Sequence, residues 1–383
     1  MSALQQSGWL AIVVLLVPGI LLAEDSDLLV RVTLRSEVPA TTPATVEGRL
    51  VVEAQDGGLL VEERSGRLQI LAADKVVGQT PTEQPFTAMS VEELGTTLLQ
   101  QAGSGFEIHE TDHYVICSNS ADPYVDVCGR MLERVHNEFF QFMKQLKVSV
   151  TEPKRKLPVL IFALESDFQL FAKAQHPEIS FDDTPGYYSV TGNQVLLKDL
   201  TRDRSARTTS AVRKQLADQP LQVATMVHES VHQLAFNCGL QVRLADNPTW
   251  LSEGLALYFE PVQPGRSQLW TTPGLVNERH RPVFLRSAEG GMPAVSFPDL
   301  VASDASFADS SSVAAAYAES WALTTFLVRK HQDGMTRYLT QISQRKPLRR
   351  VPADERLLEF QTAFGNSPDE MRAAAVSYLQ RQK

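Results

Sequence analysis

Cysteine is scarce in this chain of 383 residues: Cys117, Cys128 and Cys238 are the only three, and their spacing forms no zinc-finger pattern. A disulfide-stapled framework is excluded. At most one bridge remains, with Cys117 at a strand end and Cys128 early in the next helix as the expected pair. Cys238 then reads as a small buried residue. No glycine-rich phosphate loop occurs, and no internal repeat or sustained heptad. Basic clusters are short, Lys154-Arg155-Lys156 and Arg349-Arg350, and both read as solvated loops. With 36 basic against 45 acidic residues the net charge is −9, which argues against a nucleic-acid partner. Long apolar runs are also lacking. Trp9 to Ala23 is too short to span a bilayer comfortably and reads as a signal-peptide core, with cleavage after Ala23 and no Lys or Arg ahead of it. The expectation is an exported protein (periplasmic, cell-envelope or secreted) without stable membrane insertion after cleavage. An uncleaved N-terminal anchor is the alternative.

What is present is an ordinary globular composition, 43% hydrophobic and 21% charged, in a chain long enough for two domains. The expected division is residues 1–23 as the signal peptide, 24–87 as a small β-rich domain plus linker, and 88–383 as the main domain. Leu29–Leu34 and Val46–Val52 alternate in polarity, and Leu59–Glu63 and Arg67–Leu71 flank Ser65-Gly66 as a hairpin. These strands read as a barrel or a sandwich. Gln79 to Thr87 reads as a linker, and Ser90-Val91-Glu92-Glu93 as a capping box that opens a helix. From Phe106 the pattern alternates strands (106–109, 113–118, 158–163, 186–190, 194–198) with a long amphipathic helix from Asp122 to Leu146. Beyond residue 209 it is nearly all helix. The fold class is α+β.

The densest chemistry lies at His228-Glu229-Ser230-Val231-His232, inside an apolar-periodic stretch from Pro220 to Cys238 that Gly239 ends. On a helix, positions i and i+4 stack on one face. Two imidazoles at that spacing ligate one Zn²⁺ from a single rigid element, and the glutamate beside the first stands ready as general base for an activated water. The surrounding apolar residues predict burial, and buried polar groups need partners. His109 and His113 on one strand face lie about 13 Å apart, too far to share a metal. His136, His176, His280 and His331 read as isolated surface or core residues, though His280, in an apparently irregular segment from Asn277 to Phe284, is within reach of the site.

Zinc hydrolase sites use three protein ligands. After His232 and 20 intervening residues comes Glu253, in Trp250-Leu251-Ser252-Glu253-Gly254-Leu255-Ala256, with Thr249 as N-cap and Gly254 expected to let this helix approach the first closely. Glu260, about two turns on, is an alternative. His-Glu-Ser-Val-His followed by Trp-Leu-Ser-Glu-Gly-Leu-Ala resembles the gluzincin zinc metallopeptidases (peptidase-MA-like, of the aminopeptidase-N and thermolysin type). The resemblance implies Glu253 as third ligand, Zn²⁺ as cofactor, and a sheet with an edge strand followed by a mostly helical half. It covers residues 105–383, with specificity confined to the motifs. Ala316-Tyr317-Ala318-Glu319-Ser320-Trp321 resembles the helix that carries a transition-state tyrosine in aminopeptidase-N-like enzymes, which implies Tyr317 as an oxyanion donor. The Gly-x-Met-Glu-Asn segment that captures a free amine in that branch has no counterpart. In its place Gly186–Val190 and Asn193–Leu197 read as a hairpin whose edge strand can hold an extended peptide.

These readings converge on an exported zinc-dependent metallopeptidase with a peptide or protein substrate: His228, His232 and Glu253 on the metal, Glu229 and Tyr317 catalytic. A catalytically inactive, zinc-stabilised envelope or binding protein is the alternative. A purely structural site, however, has no use for Glu229 and would close its fourth position.

Overall fold

The structure is a computed structural model describing residues 20–22, 28–35, 44–182, 184–199, 201, 208–263, 268–289 and 295–382. The fold is α+β. Its N-terminal part is one antiparallel sheet built from β1 (Ile20–Leu22), β2 (Leu28–Leu34), β3 (Thr45–Ala54), β4 (Leu59–Glu63), β5 (Leu68–Leu71) and β6 (Val76–Pro85). The order is β5-β4-β3-β2-β6, with β1 also on β3, so the expected barrel or sandwich is instead an open sheet. Most of the expected linker is strand β6, which pairs with β2. The strand escapes a periodicity reading because almost every residue in it is exposed. It is held by backbone bonds at a sheet edge, where its prolines are tolerated. The expected signal segment lies outside the described residues except for Ile20–Leu22.

The second sheet follows α1 (Val91–Ala102), which has the expected capping box between Ser90 and Glu93. It contains β7 (Glu107–Glu110), β8 (Tyr114–Ser118), β9 (Leu157–Phe162), β10 (Gly186–Ser189) and β11 (Gln194–Lys198), in the order β10-β11-β9-β8-β7. Its three central strands are parallel to one another and the two outer ones antiparallel. Those central strands are buried along their length and apolar in their middles because both faces are covered. Val115, Cys117, Leu160, Phe162 and Leu196 face a cluster with α1 and α3 (Glu165–Gln175). Ile116, Val159, Ile161, Val195 and Leu197 face the main core with α2 (Asp122–Gln145). This alternation also decides the cysteine question. Cys117 lies in the first cluster and Cys128 in the second, on opposite sides of the sheet, and all three cysteines are free and buried.

The remainder is helical: α4 (Thr209–Ala217), α5 (Pro220–Asn237), α6 (Thr249–Phe259), α7 (His280–Glu289), α8 (Phe297–Ala302), α9 (Ala305–Ala308), α10 (Val313–Lys330), α11 (Gln332–Ile342), α12 (Ala353–Phe364) and α13 (Pro368–Gln380). Gly239 ends α5 with φ of +82°, as a left-handed terminator should. All of α6 is buried, and Gly254 serves a different partner from the one expected. A Cβ there would sit 2.8 Å from the Ser320 carbonyl, so the glycine admits α10, not α5. Thr249 is the first residue of α6, not its cap; its N–H donates to Asp304 Oδ1 at 2.9 Å. No helix among the described residues is long and apolar enough to cross a membrane.

Candidate metal centre and cleft

Helix α5 is buried from Thr225 through Phe236, so its two histidines and glutamate are carried into the interior by the apolar residues between them. His228, His232 and Glu253 converge there, each with a ligand atom within 4.8 Å of the others'. The nearest Glu253 oxygens lie 3.2 Å from His228 Nε2 and 3.8 Å from His232 Nε2. His228 Nε2 and both Glu253 oxygens are nonetheless buried without a hydrogen bond of good geometry. Buried polar atoms left this way are costly, and a shared cation relieves that cost for all of them. Two imidazoles and one carboxylate form a donor set suited to zinc. The residues therefore fit a metal.

Glu260 stands behind the trio, and not in it. Its Oε2 is 3.0 Å from His228 Nδ1, while Oε1 accepts from Asn277 Nδ2 at 2.8 Å and lies 3.8 Å from His280 Nε2. With a metal on His228 Nε2, Glu260 would be the outer carboxylate that orients the imidazole. Asn277, which holds Glu260 in turn, is a residue the sequence reading did not assign, and His280, expected within reach of the site, lies beside Glu260. His280 opens helix α7, and the segment taken as irregular is helical from that point.

Charge at the site follows from burial and neighbours. For Glu229, burial raises the carboxyl to about 7, against the pull of the His228 charge. His228 is buried, which disfavours its charge, but Glu253 and Glu260 on either side hold it well above the usual histidine range. Burial keeps His232 neutral, with His228 beside it. Burial also raises Glu253, opposed by His228 and by the Tyr317 side chain against it. Tyr317 is thus brought to the ligand shell, flanked by the ring of His280 at 6.4 Å and that of Phe307 at 5.5 Å.

The centre opens on a cleft of about 530 Å³ whose wall includes Glu229, His232, Tyr187, Tyr188, Phe236 and Phe307. Strand β10 is the expected edge strand. One of its amides is already engaged: Tyr188 N–H donates to Glu229 Oε2 at 2.8 Å, leaving Glu229 Oε1 without a partner. Arg349 and Arg350, read as a solvated loop, line the same cleft. Two acids on its wall, Asp246 and Asp304, are bound by buried Arg356. A second trio, Glu107, His109 and Asp122, converges at the surface.

A family model described as a protein of unknown function (DUF1570) matches residues 222–349. That span holds all three candidate ligands, Glu229, Glu260 and Tyr317. No curated protein matches the chain. Among solved structures, a functionally unknown conserved protein mutant from Bacillus anthracis str. Ames is 9% identical with a TM-score of 0.28, over 94% of this chain and 70% of that one. A likeness this distant defines neither fold nor function.

Proposed function

We propose that this protein is an exported zinc-dependent metallopeptidase of the gluzincin kind. His228, His232 and Glu253 would hold Zn²⁺, Glu229 is the general base, and the substrate is a peptide or protein. One observation carries the reading: Glu229, next to the ligand trio, is buried, tethered through one oxygen and bare at the other, on the wall of a cleft. A site that served structure alone would gain nothing from a buried carboxylate so placed.

Zinc, when bound, supplies Lewis acidity toward a water and toward the scissile carbonyl. Glu229 accepts the proton of the attacking water and returns it to the leaving amine. A carboxyl raised to about 7 suits both directions of transfer near neutral pH. The Tyr188 amide fixes the carboxylate's orientation, and the Tyr317 hydroxyl is the donor for the developing oxyanion. Glu260 fixes the tautomer and plane of His228. Export rests on the apolar segment Trp9–Ala23 ahead of Glu24.

The test is zinc content and peptidase activity of wild type beside Glu229→Gln and the double variant His228→Ala/Glu253→Ala. Wild type should carry one zinc and cleave an unstructured protein such as casein. Glu229→Gln should keep the metal and lose cleavage by about 10²–10⁴-fold. The double variant should lose both. Undiminished cleavage by Glu229→Gln, or no zinc in wild type after supplementation, overturns the proposal.

A further inference from the structure

A second cavity, of about 690 Å³, lies where the N-terminal sheet meets the main domain. Arg49 and Arg64 border it from the first, and His113, His136 and the trio Lys154-Arg155-Lys156 from the second. The trio is the loop its sequence indicates, exposed at Lys154, but Arg155 and Lys156 are half-buried against this cavity. Just behind this wall one carboxylate serves three guanidiniums. Glu62 lies 2.6 Å from Arg49, 3.1 Å from Arg155 and 3.4 Å from Arg243. Arg243 is mostly withdrawn from water and also donates to the carbonyls of Gly66 and Val190. Its burial, and the like charges of Arg155 and Arg49, press its pKa down. An arginine does not relieve such stress by losing its proton.

The remaining charges on the wall do not close the balance. Arg64 is paired with Glu93, and Lys156 with Glu110. Lys154 and Asp112 are both exposed on the rim, and Lys154 has no ion-pair partner among the described residues. Three guanidiniums (Arg49, Arg155, Arg243) thus share the one carboxylate of Glu62, and Arg243, which lies behind the wall, is the most withdrawn from water of the three. Buried charge is normally paired, and one carboxylate shared by three guanidiniums leaves a positive surplus at this junction. His136 adds a second observation. It is 2% exposed, faces this cavity, and neither ring nitrogen makes a hydrogen bond. Its ring is stacked on His113 at 3.7 Å, while His113 is itself fixed by Glu133 at 2.6 Å.

We propose that this cavity is a binding site for a small phosphorylated ligand, whose dianionic phosphate completes the charge of the Arg49–Arg155–Arg243 cluster and takes hydrogen bonds from Lys154 and His136. Guanidiniums match tetrahedral oxyanions through paired N–H donors. The volume leaves room for more than the phosphate itself. Because each wall comes from a different part of the fold, occupancy also clamps the N-terminal sheet to the main domain. The inference is independent of the metal chemistry proposed above.

The experiment is calorimetric titration of the whole protein with inorganic phosphate, at ionic strength held constant with chloride, beside Lys154→Gln and Arg49→Gln. Malonate, a dicarboxylate, forms a separate arm. Both substitutions remove a cation without emptying a core position, and circular dichroism checks the fold. Wild type should bind phosphate saturably, and each variant should bind about tenfold more weakly. Phosphate held at the zinc-ligand trio instead would survive Lys154→Gln unchanged, and that result overturns the proposal. So does the absence of any binding beyond the chloride control, or binding of malonate without binding of phosphate.

Discussion

Replacing Glu260 by glutamine alters one charge and one donor–acceptor identity and leaves the volume unchanged. In the native site one carboxylate oxygen faces His228 Nδ1 at 3.0 Å and the other faces Asn277 Nδ2 at 2.8 Å. Both facing atoms are donors once His228 binds a cation through Nε2. Glutamine can accept from only one of them, and its amide nitrogen must confront the other. Two costs follow. Without an outer carboxylate, a ligating imidazole is less basic and less well oriented, and metal affinity should fall about 10–100-fold. That corresponds to about 1.4–2.8 kcal/mol. The mispaired donor costs about 1–3 kcal/mol in the metal-free fold, a shift of about 1–2 °C in Tm per kcal/mol for a chain of this length. The assay is competition for zinc against a chromogenic chelator, with metal-free Tm measured in parallel. Only the affinity term belongs to the histidine–carboxylate argument. A variant that loses Tm as expected yet binds zinc like wild type would show that Glu260 merely fills space, and the reasoning would fail.

Three further outcomes follow from the same contacts. Tyr317→Phe should lower kcat by about 10²–10³-fold with KM little changed; parallel wild-type kinetics would return Tyr317 to the core stripe of α10. Gly254→Ala should cost about 1–3 kcal/mol or more in urea unfolding by forcing α6 and α10 apart, whereas a helix without that close approach would be stabilised by alanine. Burial raises the Glu62 carboxyl, but Arg243, Arg155 and Arg49 outweigh it and hold the group below its usual range. Its contribution to stability is therefore complete above an unfolded value of about 4.3 and is lost as pH falls through the lower folded value. The Tm gap between wild type and Glu62→Gln should be widest near neutral pH and close in acid; a gap that grows in acid would reverse the assigned sign.

The candidate metal centre was legible because its chemistry imposes local spacing. His228 and His232 must lie one turn apart to share an ion, and the apolar positions around them dictate which way they face. Four strands of the second sheet were legible for a related reason: β8, β9, β10 and β11 are short runs buried along their whole length, whereas β7 lies half-exposed at an edge. Elements with weaker local signatures escaped. Strand β6 buries no face at all, and α3 and α4 each bury only two residues. Gly254 advertised a close approach, but nothing in its neighbourhood says which helix approaches.

The two basic clusters expose the deeper limit. Lys154-Arg155-Lys156 and Arg349-Arg350 look alike in sequence: short, charged and bordered by loop residues. What separates a solvated loop from a binding wall is the set of partners, and those lie far along the chain. Glu62 gathers Arg49 from 13 positions away, Arg155 from 93 and Arg243 from 181. No periodicity encodes that convergence, because each arginine satisfies only its own local rules. The surplus of charge exists solely in the folded arrangement. A candidate centre whose histidines and glutamate share one helix can therefore be read from its motif, whereas a cluster assembled at a junction becomes visible only as an electrostatic imbalance in the fold.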